Sequence, residues 1–141
     1  MSGDFVDSNI FVYLFDETDR FKRNVAERIV ERGLQEHNAS ISYQVVQEVL
    51  NVLTSKLAEP ISTEGARRFM LEVLAPLWRI SPRPALYHRA LDIQARYRYG
   101  FYDSLIVAAA LEAGCDRLYS EDLQDGQRIE GLVIENPFRR S

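Results

Sequence analysis

Phe5-Val6-Asp7-Ser8-Asn9 is the stretch on which the reading of this chain turns. Two strand formers stop at an acid, a hydroxyl and an amide, and the apolar run Ile10-Phe11-Val12-Tyr13-Leu14-Phe15 follows. Strand formers that end at a short polar triplet, with a helix beyond it, place Asp7 at the carboxyl end of a first strand. In open α/β sheets, ligands bind at that end of the strands. Other acids stand at similar junctions: Glu48, Asp103 and the Glu121-Asp122 pair. The expectation is that these acids converge on Asp7 and hold a metal. The triplet also has a second reading, because Asp, Ser and Asn all cap helix N-termini.

The rest of the chain is compatible with such a site. Its 141 residues are one domain's worth, taken as residues 1–141, and 46% of them are apolar, enough for a real core. A net charge of −4 argues against a protein that grips nucleic acid with its whole surface. It leaves room for a nuclease, whose own site is acidic and becomes cationic only with metal loaded. One cysteine, Cys115, excludes an internal disulfide and reads as a small buried thiol. Two scattered histidines, His37 and His88, make a structural zinc site a poor fit. The start shows no basic and apolar leader pattern, and the run Leu105 to Leu111 is too short to span a bilayer. The expectation is a soluble, cytoplasmic protein with no membrane association.

Working outward, Phe21 to Leu34 reads as a helix burying Val25, Ala26, Ile29, Val30 and Leu34, with Gly33 and Asn38 as terminators. Ala39–Ser42 is a second strand, and a long helix from Tyr43 to Ala58 follows, ended by Pro60. Glu48 falls in its second turn, bordering the apolar stripe. Ser62-Thr63-Glu64 opens a helix with Ala66, Phe69, Met70, Val73, Leu74 and Leu77 inward. Trp78–Ser81 is a short strand. Pro84 suits the first turn of a helix to Arg98 with Leu86, Ala90, Leu91 and Ile93 inward. Gly100 breaks the pattern, and a helix apolar nearly all round runs from Asp103-Ser104 to Gly114. Arg117–Ser120 and Leu132–Ile134 are the last strands, and Arg139-Arg140 reads as a solvated end. Strands alternating with helices imply an α/β fold: a central parallel sheet of four to five strands flanked by helices.

Each acidic station has an ordinary explanation as well. Asp103 at the head of an apolar helix is also a good N-cap, favoured by the helix dipole. Glu48 also reads as the solvated flank of an amphipathic helix. Glu121, Asp122 and Asp125 are common turn residues. Their joint placement, after strands and in first turns of helices, is what points to one site. Clustered carboxylates raise one another's pKa values, and a hard divalent cation resolves the conflict. Oxygen ligands alone select Mg²⁺ or Mn²⁺. No Gly-rich nucleotide-binding loop occurs.

These motifs resemble those of a PIN domain, and within that family a VapC-type toxin ribonuclease, over essentially the whole chain. Asp7-Ser8-Asn9 matches the first family motif. Glu48 in Ser42-Tyr43-Gln44-Val45-Val46-Gln47-Glu48-Val49 matches the second. Asp103 in Tyr102-Asp103-Ser104-Leu105-Ile106 matches the third, and Asp122 in Leu118-Tyr119-Ser120-Glu121-Asp122-Leu123 the fourth. The resemblance implies a metal-dependent endoribonuclease of a toxin–antitoxin pair, often dimeric, silenced by a cognate antitoxin. It implies Asp7, Glu48, Asp103 and Asp122 as catalytic acids, with Asp7, Asp103 and Asp122 on Mg²⁺ or Mn²⁺. Asn9 and Ser120 would orient them, and Glu121 and Asp125 are additional acids near the fourth position.

RNA must also be held. Arg79, Arg83, Arg89, Arg96 and Arg98 outnumber Asp92 along one segment, with Tyr87, Tyr97 and Tyr99 interleaved. Arg96 and Arg98 are the expected phosphate contacts, set against a plain solvated helix face. The segment Phe69 to Leu77 is the expected dimer surface. Two other classes stand beside the nuclease: a PIN fold kept for protein binding without catalysis, and a receiver-like acidic domain. The latter should carry neighbouring acids after the first strand and a late Lys; Asp7 has no adjacent acid and no Lys follows Lys56.

Overall fold

The computed structural model describes residues 3–139. It is a mostly parallel sheet with helices on both faces. The chain begins with β1 (Asp4–Val6), passes through a short α1 (Ser8–Val12) that tightens into a 3₁₀ turn at Tyr13–Phe15, and enters α2 (Arg20–Glu36). β2 (Ala39–Ser42) leads into α3 (Tyr43–Asn51), which widens into a π-helical turn at Val52–Lys56. α4 (Thr63–Phe69) widens in the same way at Met70–Leu74 before α5 (Ala75–Leu77) and β3 (Trp78–Ile80). Then come α6 (Pro84–Tyr97), α7 (Phe101–Glu112), β4 (Arg117–Tyr119), β5 (Arg128–Ile129) and β6 (Leu132–Glu135).

The sheet has six strands in the order β3-β2-β1-β4-β6-β5, one or two more than expected. All pairs are parallel except β5 with β6. The extra strand is a two-residue antiparallel edge, too short to leave an alternating pattern in the sequence. β1 is central, between β2 and β4. Its Phe5 and Val6 are both buried, as both faces of a parallel sheet require. α7, buried from Ser104 to Ala110, forms the apolar backbone of one layer.

Local chemistry explains most boundaries. Ser42 caps α3 at Val45 N, Asp19 caps α2 at Lys22 N, and Ser62 caps α4 at Gly65 N. Gly114 leaves α7 at φ +75°, as a glycine after a helix end can. Several expectations fail. Gly33 does not end α2; the helix runs on to Glu36, with His37 left-handed as its cap. A Cβ at Gly33 would lie 2.6 Å from the Cβ of Ala39, so the glycine is there to let α2 touch β2. Leu91 points outward and is 53% exposed, because α6 buries only a narrow stripe of Leu86, Ala90 and Ile93. In the segment expected at a dimer surface, Leu74 and Leu77 belong to the core and Phe69 packs edge-on against Phe11 and Phe15; Leu71 is exposed. Arg139 pairs with Asp125 rather than ending free in solvent, and Arg140 lies outside the described residues. Among the described residues no helix is long and apolar enough to cross a membrane.

Candidate functional site

The order of strands reverses about β1: β2 and β3 lie to one side, β4 and β6 to the other. The crevice between the carboxyl ends of β1 and β4 is therefore the switch point at which open α/β sheets bind ligands. β1 and β4 run in register, Val6 opposite Tyr119, and Asp7 N donates to Tyr119 O at 3.0 Å. The next residues outward are Asp7 and Ser120, so the crevice begins with an acid facing a hydroxyl.

Asp7 is buried, at 5% exposure. One carboxylate oxygen accepts from Ser8 N at 2.7 Å, and the other accepts from Ser120 Oγ at 2.7 Å. The two readings of the triplet thus hold together: Asp7 caps α1 and also faces the crevice. Ser120 Oγ in turn accepts from Asp122 N at 3.2 Å. Asn9 closes the ring: its Nδ2 donates to Asp122 Oδ2 at 3.1 Å, and its Oδ1 accepts from Glu121 N at 3.3 Å. Asp7, Asn9, Ser120 and Asp122 are therefore one hydrogen-bonded unit joining the exits of β1 and β4.

Glu48 and Asp103 approach this unit from the helices. α3 starts directly after β2, so its second turn stands over the same sheet edge. α7 runs back toward the start of β4, so its N-terminus with Asp103 lies at the carboxyl edge too. Gly100 is the N-cap of α7 and Asp103 sits in the first turn, so the carboxylate is not used as a cap. Both acids are half-buried, whereas Asp122 is exposed. The electrostatics couple Asp7 with Glu48 and Asp122, and Asp103 with Asp122. Burial pushes the Asp7 carboxyl up to about 7, the bonds from Ser120 and Ser8 pull against that, and the charges of Glu48 and Asp122 add to the rise. Asp103 is raised as well, by burial and by Asp122.

Three further residues shape the site and were not singled out from sequence. Gln44, buried one turn before Glu48, donates its Nε2 to Glu48 Oε2 at 3.3 Å and to the Tyr102 carbonyl at 3.1 Å. It ties the second station to the third, and its i, i+4 spacing from Glu48 was the available signal. Gln44 Oε1 and Ser104 Oγ are buried atoms without a hydrogen-bond partner among the described residues, and both residues adjoin Tyr102-Asp103. Lys22 and Tyr13 take Glu121: Lys22 Nζ lies 2.5 Å from one Glu121 oxygen, and Tyr13 Oη donates to the other at 2.6 Å. Lys22 also stacks over the rings of Tyr13 and Phe138. Both Glu121 oxygens are thereby taken by Lys22 and Tyr13. Asp125 accepts from Asn136 N at 2.7 Å and pairs with Arg139 at 2.6 Å, fastening the loop to the C-terminal segment.

Of the basic segment, Arg83 pairs with Glu112 and Arg89 with Glu130. Arg96 and Arg98 are exposed and make no ion pair among the described residues. Arg96 lines a shallow cavity of about 420 Å³ with His88, Arg89, Asp92, Tyr97 and Glu130, which includes none of the four acids. Tyr87 and Tyr99 are used internally, by Tyr43 and Gln127 respectively.

The donor set at the crevice is entirely oxygen, the preference of a hard cation. Carboxylates that raise one another's proton affinity with no positive charge between them are what such a cation relieves. Among the described residues no three His, Cys, Asp or Glu side chains are gathered tightly enough to hold an ion alone.

Comparison with known proteins gives a consistent result. The PIN domain family model matches residues 5–127. No curated protein matches the chain. Among solved structures, VapC20 of Mycobacterium tuberculosis, described as a Sarcin-Ricin loop cleaving toxin, superposes with a TM-score of 0.61 at 20% identity, covering 85% of this chain and 90% of that one. A toxin–antitoxin complex from Klebsiella pneumoniae gives a TM-score of 0.68 at 18% identity, covering 96% and 98%. FitAcB from Neisseria gonorrhoeae gives 0.66 at 13% identity, covering 97% and 99%. At these identities the likeness is one of fold.

Proposed function

This chain belongs to the PIN domain family, and from that premise we propose that it is a divalent-metal-dependent endoribonuclease, the toxin of a toxin–antitoxin pair. The observation that carries the proposal is Asp7: a buried carboxylate at the central strand's exit, its proton affinity raised to about 7, with Glu48 and Asp122 close enough to repel it. Both its oxygens accept hydrogen bonds, but no cationic side chain pairs with it among the described residues. A bound divalent cation would offset a buried charge of this kind.

In this reading Asp7, Asp103 and Asp122 hold Mg²⁺ or Mn²⁺, and Glu48 completes the acidic rim. A divalent cation bound there supplies Lewis-acid activation of water and neutralises charge on the phosphodiester. The chain's own groups do the positioning. Ser8 N and Ser120 Oγ fix both oxygens of Asp7, Asn9 fixes Asp122, and Gln44 fixes Glu48. These outer contacts lock the rotamers of the acids, so little reorganisation is left for the reaction. Lys22 and Tyr13 hold Glu121 aside, keeping a fifth carboxylate out of an already repulsive cluster. RNA is the proposed substrate, with Arg96 and Arg98 free to meet phosphates.

The toxin reading draws on the likeness to VapC20 and to the Klebsiella pneumoniae toxin–antitoxin complex, and it extends to a cognate antitoxin, a homodimer and a cytoplasmic setting. The deciding experiment is cleavage of total RNA by the purified protein with Mg²⁺, Mn²⁺ or EDTA, beside Asp7→Asn. Discrete fragments that need metal and disappear in Asp7→Asn are expected. No cleavage and no metal binding by a folded protein would move the assignment to a binding module on a PIN fold.

A further inference from the structure

Tyr102 immediately precedes Asp103, and it is 69% exposed. The other large apolar side chains left in solvent among the described residues are Leu71, Trp78 and Leu91, and none adjoins an acid of the site. A lone exposed aromatic needs no explanation by itself. What sets this one apart is how firmly its root is held. Its carbonyl accepts from the buried Gln44 amide at 3.1 Å, the same group that donates to Glu48. Its ring meets Phe101 at 5.7 Å and 73°, and the Phe101 ring lies parallel to that of Tyr87 at 6.4 Å. The Tyr87 hydroxyl is hydrogen bonded to that of Tyr43 at 2.8 Å, so the row of rings is anchored on α3 and α6. The row ends at Tyr102, with most of the last ring in water.

We propose that Tyr102 is a stacking platform for an unpaired base of the RNA beside the scissile phosphate. The proposal rests on the ribonuclease reading above. Every base has a π-face, and stacking on a fixed aromatic is tolerant of sequence. A base inside an A-form helix has both faces occupied by its neighbours, whereas loops and bulges can splay a base out onto an aromatic ring. A cation held by the acids would meet the phosphodiester through charge, which reads no base; the ring adds a contact to one. A platform already fixed by Gln44 and Phe101 costs little to order when the base arrives.

The test uses a synthetic RNA spanning a cut mapped in total RNA, intact and with single abasic nucleotides on either side of the cut. Wild type, Tyr102→Ala, Tyr102→Leu, Tyr102→Phe and Tyr102→Trp are compared, with thermal unfolding as the check on folding. For the wild type, one abasic position should lower kcat/KM on the order of ten-fold, mainly through KM. Tyr102→Ala and Tyr102→Leu should lose a similar factor on intact RNA and show no further abasic penalty. Tyr102→Phe and Tyr102→Trp should behave as wild type. An abasic penalty that persists in Tyr102→Ala, or wild-type cleavage by Tyr102→Ala and Tyr102→Leu, overturns the platform and leaves the nuclease standing. Absence of cleavage by the wild type overturns the nuclease reading and the platform with it.

Discussion

Ser120 Oγ donates to Asp7 Oδ2 at 2.7 Å, across 113 residues of sequence and across the crevice between the two central strands. The same oxygen accepts from Asp122 N, so one hydroxyl joins the first and fourth acids. It is the smallest group that can both lower the charge cost of a buried carboxylate and set the loop bearing its neighbour. The predictions below follow from this arrangement.

Asp7→Asn should abolish cleavage, by on the order of 100-fold or more, and stabilise the metal-free protein at neutral pH. The folded carboxyl sits at about 7 against 3.8 ordinarily. Below pH 4 both states are protonated and the folded state keeps its full stability. As the pH rises from about 4 through 7, the unfolded chain releases this proton first, and stability falls by roughly 4 kcal/mol in the limit. Asp7→Asn should remove that slope. Chemical denaturation of metal-free wild type and variant from pH 4 to 8 measures it, and parallel curves refute it.

Ser120→Ala should cost about 1 kcal/mol of stability through the lost hydrogen bonds. It should also move the acidic limb of the pH–rate profile to higher pH, because the bond from Ser120 lowers the Asp7 proton affinity. A merely structural serine would lower the rate without moving the limb.

Lys22→Met frees Glu121 beside the acids. The variant should lose about 1 kcal/mol of stability from a largely buried pair and its ring contacts, and cleavage should fall several-fold. Adding Glu121→Gln should restore much of the rate, since the liberated charge is then absent. Identical losses in the single and double variants would show that Lys22 acts only through packing.

Neutralising Arg96 and Arg98 to Gln should weaken RNA binding by Asp7→Asn protein and reduce the slope of log affinity against log salt by about 1.4, the value for two single-strand phosphate contacts. An unchanged slope would make this a plain solvated helix face.

Much of the fold was legible because its signals are local. The strand formers before Asp7, Ser62 at a helix opening, Pro84 at a helix start and Gly114 after a helix end act over a few residues. The same is true of the four acidic stations, each recognisable at the end of a strand or in the early turns of a helix. Elements without a local signal were missed or misread. β5 is too short to show periodicity. Gly33 looks like a terminator until Ala39 is seen against it. Leu91 has the right spacing for the core on a helix whose buried stripe proved narrower.

The sequence by itself determined an alternating α/β chain, an acid at the exit of its first strand and the order in which the others follow. These depend on hydrogen-bonding and apolar periods set within one or two turns. The tertiary structure alone decided which carboxylates meet. It sent Glu121 to Lys22 and Asp125 to Arg139, and brought Asp122 to Asn9. It also raised the proton affinity of Asp7, because desolvation and like-charge repulsion exist only once residues more than 100 positions apart are packed together.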